Sequence, residues 1–223
     1  MAVLRMGRGV VAQPAAPPAR QVSADVLAIG DVQLDRAKRT VSFGGEVNMN
    51  QGQLEYVIVG MRGKLHESLF RTTAQAYHIH AAMLLLGVRD QTQRTNEPAT
   101  PQALRGEPVS LWAVWRGPGG EEKVRVEDWV RNDQTGQVME RGSWIYNGSR
   151  FVEGLFIAQR EQSIVAIQDD VDALINNPRP GRENDKIWPA NEKAVPKVGT
   201  PVTLIIQLES KPAPPVASEK KKP

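Results

Sequence analysis

The sequence predicts a single α+β domain, in which mainly antiparallel β-strands pack around one core helix and a short second helix is added. Short runs of β-branched, aliphatic and aromatic residues recur along the chain, and glycine-rich or polar turns separate most of them. Residues 75–86 combine the length and the apolar spacing of a helix that packs in a core. No repeat of roughly 20 to 50 residues is present, which excludes solenoids and propellers.

Five strands are predicted in the N-terminal half of the chain, each rich in residues that favour a pleated, half-buried surface. They cover residues 26–29, 32–34, 39–43, 54–59 and 64–70. The polar segment between the second and third strands is typical of a hairpin connection. Gly44 and Gly45 are expected to end the third strand.

The core helix follows these strands, over residues 75–86. Its apolar residues Ile79, Met83 and Leu86 recur at helical spacing. Gly87 is expected to end it, because glycine tolerates the left-handed backbone that follows many helices.

The C-terminal half combines further strands with the second helix. Predicted strands cover residues 111–115, 124–130, 143–146, 150–158, 164–167 and 202–208. Asn147 and Gly148 favour a type I′ hairpin turn between two of these strands. The short helix is expected to begin at Asp169, since Asp172 in its first turn would interact favourably with the helix dipole, and to end at 176–178.

The basic residues are concentrated at the two ends of the chain, which has a net charge of +3. Residues 1–21 carry three arginines and no acidic residue, and residues 207–223 carry four lysines and two glutamates. The part between them therefore has a net charge of −2. This distribution argues against a nucleic-acid partner, because binding to a phosphate backbone needs basic residues gathered on one folded surface.

Proline-rich segments mark the limits of the predicted domain. Residues 1–21 are expected to be a disordered arm or the remnant of an export signal, and residues 209–223 a disordered tail rich in proline and lysine. The domain itself is predicted to span residues 22–208. No apolar run approaches the roughly 20 residues that cross a bilayer as a helix, so no transmembrane segment is predicted.

Four sequence segments resemble the YdjY domain, a bacterial family of mostly exported proteins whose function is uncharacterised. They are LEYVIVGMRGKLHESLF (54–70), HIHAAMLLLG (78–87), WIYNGSRF (144–151) and VPKVGTPVTLII (195–206). The resemblance covers roughly residues 26–208 and implies export to the periplasm or cell envelope. Some members are described as ferredoxin-like, with an iron–sulfur cluster. This chain has no cysteine, which excludes such a cluster, and no other cofactor is expected unless a metal binds.

All three histidines of the chain, His66, His78 and His80, fall within 15 residues. Imidazole is the commonest metal ligand and proton carrier near neutral pH. One interpretation is that His66 and His80, with or without His78, bind a divalent metal such as zinc. On a helix, however, His78 and His80 would point in different directions, and they converge only if the helix begins after them.

Two other interpretations concern residues 64–70, if they form a strand. Ser68 is a candidate nucleophile with His66 as its base and Lys64 or Glu67 as the orienting group, but the Gly-x-Ser-x-Gly turn of many hydrolases is absent. The same side chains could instead form a structural polar network, with His80 bonded to a carbonyl or to Glu67. The structural interpretation is favoured over both chemical ones.

The tryptophans also favour a structural interpretation. Trp112, Trp115, Trp129 and Trp144 are close in sequence and are expected to pack in and beside the core rather than to stack on a sugar ring. The favoured function is therefore an exported, non-catalytic binding module for an unknown protein or cell-envelope ligand. The alternative is a metal-binding protein or metal-dependent enzyme that uses His66 and His80.

Overall fold

The computed structural model describes residues 19–89 and 104–209. Of these residues, 42% lie in strands and 12% in helices. The predicted α+β class with a core helix is wrong, because eight of the strands close into a β-barrel and the remaining strands extend it or form small hairpins. Residues 90–103 and most of both predicted arms lie outside the described residues.

The strands and helices are as follows. The strands are β1 Arg20–Gln21, β2 Val26–Ile29, β3 Val32–Asp35, β4 Thr40–Val47, β5 Tyr56–Gly60, β6 Ser68–Thr72, β7 Glu107–Gly117, β8 Gly120–Arg125, β9 Arg131–Asn132, β10 Gln137–Val138, β11 Trp144–Tyr146, β12 Phe151–Val152, β13 Leu155–Phe156, β14 Ser163–Ala166, β15 Ile175–Asn176 and β16 Pro201–Leu208. The α-helices are α1 Ala76–Leu85 and α2 Ile157–Glu161, and 3-10 turns occupy Leu65–Glu67 and Val126–Trp129.

The barrel is closed by the order β4, β16, β7, β11, β15, β14, β5, β6 and back to β4. The pairs β14–β15 and β5–β6 are parallel, and the other pairs in the ring are antiparallel. Alternate side chains of the long strands face the interior, where Leu204 of β16 lies opposite Phe43 of β4 and Ala113 of β7. All three are buried. The core is thus enclosed by strands.

A helix, α1, is present at the position predicted for the core helix, but the barrel is not built around it. This helix packs against β3, β4 and α2, and it buries Ile79 and Met83 against the same core. Periodicity correctly identified the helix and its end before Gly87, which has φ of +88°. It could not show that the strands would close on one another, since closure depends on pairs far apart in sequence.

The second helix was predicted in the wrong place. Residues after Asp169 form a turn, in which Asp170 Oδ1 accepts a hydrogen bond from the backbone N–H of Asp172 at 2.9 Å. The local carboxylate therefore stabilises a turn that competes with a helix. The actual second helix, α2, ends at Glu161 and is followed by Gln162, whose φ is +62°.

Two glycine-containing segments that were predicted as a strand end and a hairpin turn have other roles in the structure. Gly44 and Gly45 lie inside β4, and a Cβ on Gly45 would stand 2.7 Å from Leu204 Cδ1 and 3.1 Å from the carbonyl oxygen of Arg71. Glycine is thus needed where β4 meets both β6 and β16. Asn147 and Gly148 do not join a hairpin, because both N–H groups bond to the carbonyl of Leu174, at 3.0 and 3.1 Å.

No helix among the described residues has both the length and the apolar character needed to cross a membrane.

Candidate functional site

A cleft with a volume of about 380 Å³ lies where three segments meet at the barrel. The segments are β5 with the turn after it, the junction of α2 and β14, and the turn between β14 and β15. The cleft is lined by Tyr56, Arg62, Gly63, Lys64, His66, Arg160, Glu161, Ser163, Asp170 and Asp172. Two of the predicted site residues, Lys64 and His66, therefore contribute to it.

Three side chains in the cleft form a continuous row of hydrogen bonds. Lys64 Nζ donates to the hydroxyl of Tyr56 at 2.9 Å, and that hydroxyl donates to Asp170 Oδ2, also at 2.9 Å. The ammonium of Lys64 also lies 4.8 Å from the centre of the Tyr56 ring. We call these three side chains the Tyr56 row. It places a cationic donor and an anionic acceptor on either side of a phenol.

The surroundings keep Tyr56 neutral and Lys64 charged at physiological pH. Burial raises the pKa of Tyr56 to about 12. Burial acts to lower the pKa of Lys64, but the hydrogen bond to Tyr56 and the nearby carboxylates more than offset it, so that pKa is raised. Neither group therefore has a pKa close to neutral, as an efficient general acid or base would.

Two carboxylates lie within 4 Å of the ammonium of Lys64. Its Nζ is 3.7 Å from Glu67 Oε1 and 3.9 Å from Glu55 Oε2. Burial and the negative charge of Glu67 raise the pKa of Glu55, whereas Lys64 opposes them. The ionised form of Glu55 is therefore less favourable in the folded protein than in the unfolded chain.

Replacing Glu55 by glutamine is expected to stabilise the protein at neutral pH. Because the folded pKa of Glu55 is raised, its contribution to stability is fully present below the unfolded value of 4.5 and is lost as the pH rises through the folded pKa. The gain in Tm at pH 7 should be about 2 °C, since solvent screens a side chain that is 22% exposed.

Thermal unfolding at pH 4 and pH 7 measures this difference, with the exposed Glu121→Gln variant as a control that changes the same charge on β8. The Glu55→Gln variant and the wild-type protein should converge at pH 4. A Tm gain that is equal at both pH values would contradict the predicted origin of the effect.

The predicted residues around Lys64 have different environments. His66 is exposed over 79% of its side chain, and its Nε2 lies 3.4 Å from Glu67 Oε2. Ser68 is fully buried, and its hydroxyl donates to the carbonyl of Lys64 at 2.5 Å. The structure therefore brings Lys64, His66 and Glu67 together, whereas the hydroxyl of Ser68 bonds to the main chain.

The other two histidines lie on α1 and are buried. Nδ1 of His80 is 2.6 Å from the hydroxyl of Tyr146, and its ring packs 5.0 Å from that of Phe156. Burial lowers the pKa of His78, although Asp31 acts in the opposite direction. Within residues 19–89 and 104–209, no three His, Cys, Asp or Glu side chains form a group that could hold a metal ion. The zinc site at the histidines stays a prediction.

A family model for the YdjY domain matches residues 32–207, which make up most of the chain. The chain belongs to the YdjY domain family. The resemblance seen in the sequence is thereby confirmed. Searches of curated proteins and of solved structures found no match. The matched region of this YdjY domain contains every residue that lines the cleft, together with all eight barrel strands except the last residue of β16.

Most of the cleft of the YdjY domain was not predicted from the sequence. Tyr56 was assigned only to a strand, and Asp170 and Asp172 were assigned to a helix start. Tyr56 and Asp170 are 114 residues apart, so no local pattern could pair them. A polar hydroxyl in an otherwise apolar strand was the available signal for Tyr56, because a buried phenol usually has a hydrogen-bond partner.

Proposed function

We propose that this YdjY domain is an exported, non-catalytic binding module that holds a small polar ligand in the cleft. The Tyr56 row is the observation that carries this proposal. Its donor and acceptor are held in place by hydrogen bonds within the protein. Ligand binding therefore does not have to offset the conformational entropy lost when these side chains are ordered. The volume of the cleft falls in the range of about 300–1,000 Å³ that is typical of small-molecule sites.

The protonation states of the cleft support binding over catalysis. The phenol of Tyr56 stays neutral, and the ammonium of Lys64 stays charged, well above physiological pH. The hydroxyl of Ser68 is buried and bonded to the main chain. Such groups recognise charge and hydrogen-bonding pattern without transferring a proton.

The proposal is tested by mapping chemical-shift changes in an isotope-labelled sample against a panel of sugars, amino acids, carboxylates and phosphates. Members that bind should perturb the backbone signals of Tyr56, of residues 62–66 and of residues 170–172. Replacing Lys64 by methionine should weaken such binding about tenfold or more, because it removes a charged donor and keeps the aliphatic stem.

Lys123→Met is the matched control, because Lys123 is an exposed lysine of β8 that lies over the Trp112 ring and does not line the cleft. It should bind the same panel members as the wild-type protein. Perturbations confined to other surfaces, or a panel without any effect on the cleft signals, would refute the cleft as a binding site.

A further inference from the structure

The charges that line the cleft differ in how far the protein already neutralises them. Asp172 Oδ1 accepts a hydrogen bond from Arg150 Nε at 2.7 Å, and Glu161 Oε1 accepts one from Arg160 Nε at 2.7 Å. Asp170 accepts the hydroxyl of Tyr56. The guanidinium of Arg62, by contrast, has no hydrogen bond or ion pair within the described part of the chain. Judged on the described residues alone, Arg62 is therefore the cation of the cleft lining that has no ion-pair partner.

The Tyr56 row still has hydrogen-bonding capacity at both ends. An ammonium has three N–H donors, and only one of those on Lys64 goes to Tyr56. The nearest carboxylate oxygens to that ammonium are at 3.7 and 3.9 Å, which is beyond hydrogen-bond distance. A carboxylate has about four acceptor sites, and Asp170 uses two of them, for Tyr56 and for the N–H of Asp172.

A donor and an acceptor on either side of a neutral hydroxyl suit a ligand with adjacent hydroxyl groups. Each hydroxyl both donates and accepts, so one hydroxyl of a sugar can accept from Lys64 while its neighbour donates to Asp170. Charge-assisted hydrogen bonds of this kind are roughly twice as strong as neutral ones. The guanidinium of Arg62, which has no partner among the described residues, can bind one negative group. Its planar fork of N–H donors matches the oxygens of a carboxylate or a phosphate.

We infer that the ligand is an acidic carbohydrate, a sugar that carries one carboxylate or phosphate group. The acid group pairs with Arg62, and two neighbouring hydroxyls bond to Lys64 and Asp170. This inference rests on the proposed binding function of the cleft and specifies its ligand class. A ligand with a positive group gains less, since Asp172 and Glu161 are already paired with arginines and Asp170 accepts from Tyr56.

Isothermal titration of the full-length chain at low salt tests the inference with four probes: glucuronate, glucose 6-phosphate, glucose and acetate. The wild-type protein should bind at least one of the two acidic sugars about tenfold more tightly than glucose and acetate. Comparison of glucuronate with glucose 6-phosphate distinguishes a carboxylate from a phosphate as the acid group.

Arg62→Gln should lower the affinity for the acidic sugar about tenfold, to that of glucose, and leave glucose binding unchanged. Arg62→Lys should retain part of the preference, because it keeps the charge and loses the planar fork. Arg116→Gln is the matched control, because Arg116 is an exposed arginine at the end of β7 that does not line the cleft. It should leave both affinities unchanged.

Equal affinities for glucose and the acidic sugars in the wild-type protein would overturn the inference, as would an equal loss of both in Arg62→Gln. Binding of another ligand class at the cleft signals, without any sugar, would refute the acidic carbohydrate and leave the binding module standing. If no probe of any class perturbs those signals, both the inference and the proposed function fail.

Discussion

Replacing Glu127 by alanine is expected to lower the free energy of unfolding by about 3–5 kcal/mol. Glu127 is fully buried, and its carboxylate accepts hydrogen bonds from Arg125 Nη2 at 2.5 Å and from Arg179 Nη2 at 3.0 Å. The indole N–H of Trp144 also donates to it, at 3.2 Å. Alanine would leave two guanidinium groups close together in the interior without the negative charge that compensates them.

The network of two arginines and one glutamate has an excess of positive charge in the wild-type protein, and the pKa of Arg179 reflects it. Burial lowers the pKa of Arg179, and the nearby Arg125 acts in the same direction, whereas Glu127 opposes them. The side chains of Arg125 and Arg179 are only 14% and 10% exposed, so solvent does little to screen them. Glu127→Gln should fall between the wild-type protein and the alanine variant, since it keeps an acceptor and removes the charge.

Urea denaturation measures the loss, and the adjacent residue provides the control. Asp128 makes a bidentate pair with Arg141, with both bonds at 2.8 Å, but the two side chains are 27% and 66% exposed. Asp128→Ala should therefore cost less than about 1 kcal/mol. Similar losses for Glu127→Ala and Asp128→Ala would show that the buried network does not stabilise the fold as described.

Replacing Trp188 by alanine is expected to cost about 3–5 kcal/mol, through lost burial and the cavity that remains. Trp188 is 1% exposed, and its indole N–H donates to the carbonyl of Gly181 at 3.0 Å. Its own carbonyl accepts the N–H of Leu54 at 3.0 Å. One residue thus holds the segment before β16 against the chain that enters β5.

Trp112→Ala is the matched control, because Trp112 is half-buried on the outer face of β7. The ammonium of Lys123 lies 4.5 Å from the centre of the Trp112 ring, a contact of about 0.5–1 kcal/mol at an exposed site. Its indole N–H has no acceptor within the described residues. Denaturant titration should give a loss below about 2 kcal/mol for Trp112→Ala. Equal losses of unfolding free energy in Trp112→Ala and Trp188→Ala would contradict the larger contribution to the core that is assigned to Trp188.

Sequence patterns predicted the positions of most strands and not their arrangement. The strands β2, β3 and β16 were predicted from short-range signals, and each lies within one residue of its predicted bounds. Closure depends instead on β4, which pairs with β6 through Glu46 and Arg71 and with β16 through Phe43 and Leu204. These partners are remote in sequence, so local periodicity does not distinguish an open sheet from a closed one.

The candidate site was only partly predicted, again because local patterns detect only residues that are close in sequence. Lys64, His66 and Glu67 are near neighbours in the chain, and they are also near neighbours in the structure. Residues 64–70 were expected to form one strand, but Leu65–Glu67 is a 3-10 turn. The side chain of Asn48 donates to the carbonyls of Leu65 and Ser68, at 2.6 and 2.7 Å. This tertiary contact stabilises the turn, and strand periodicity carries no sign of it.

The position of β16 constrains the order in which the protein can fold during synthesis. β16 comes last among the described strands, yet it lies between β4 and β7 in the barrel wall. A nascent chain that has not reached residue 201 therefore leaves one edge of β4 and one edge of β7 unpaired. Unpaired edges favour association with other chains, and pairs this remote in sequence form slowly. The barrel therefore cannot close until residues 201–208 have been synthesised and can pair with β4 and β7.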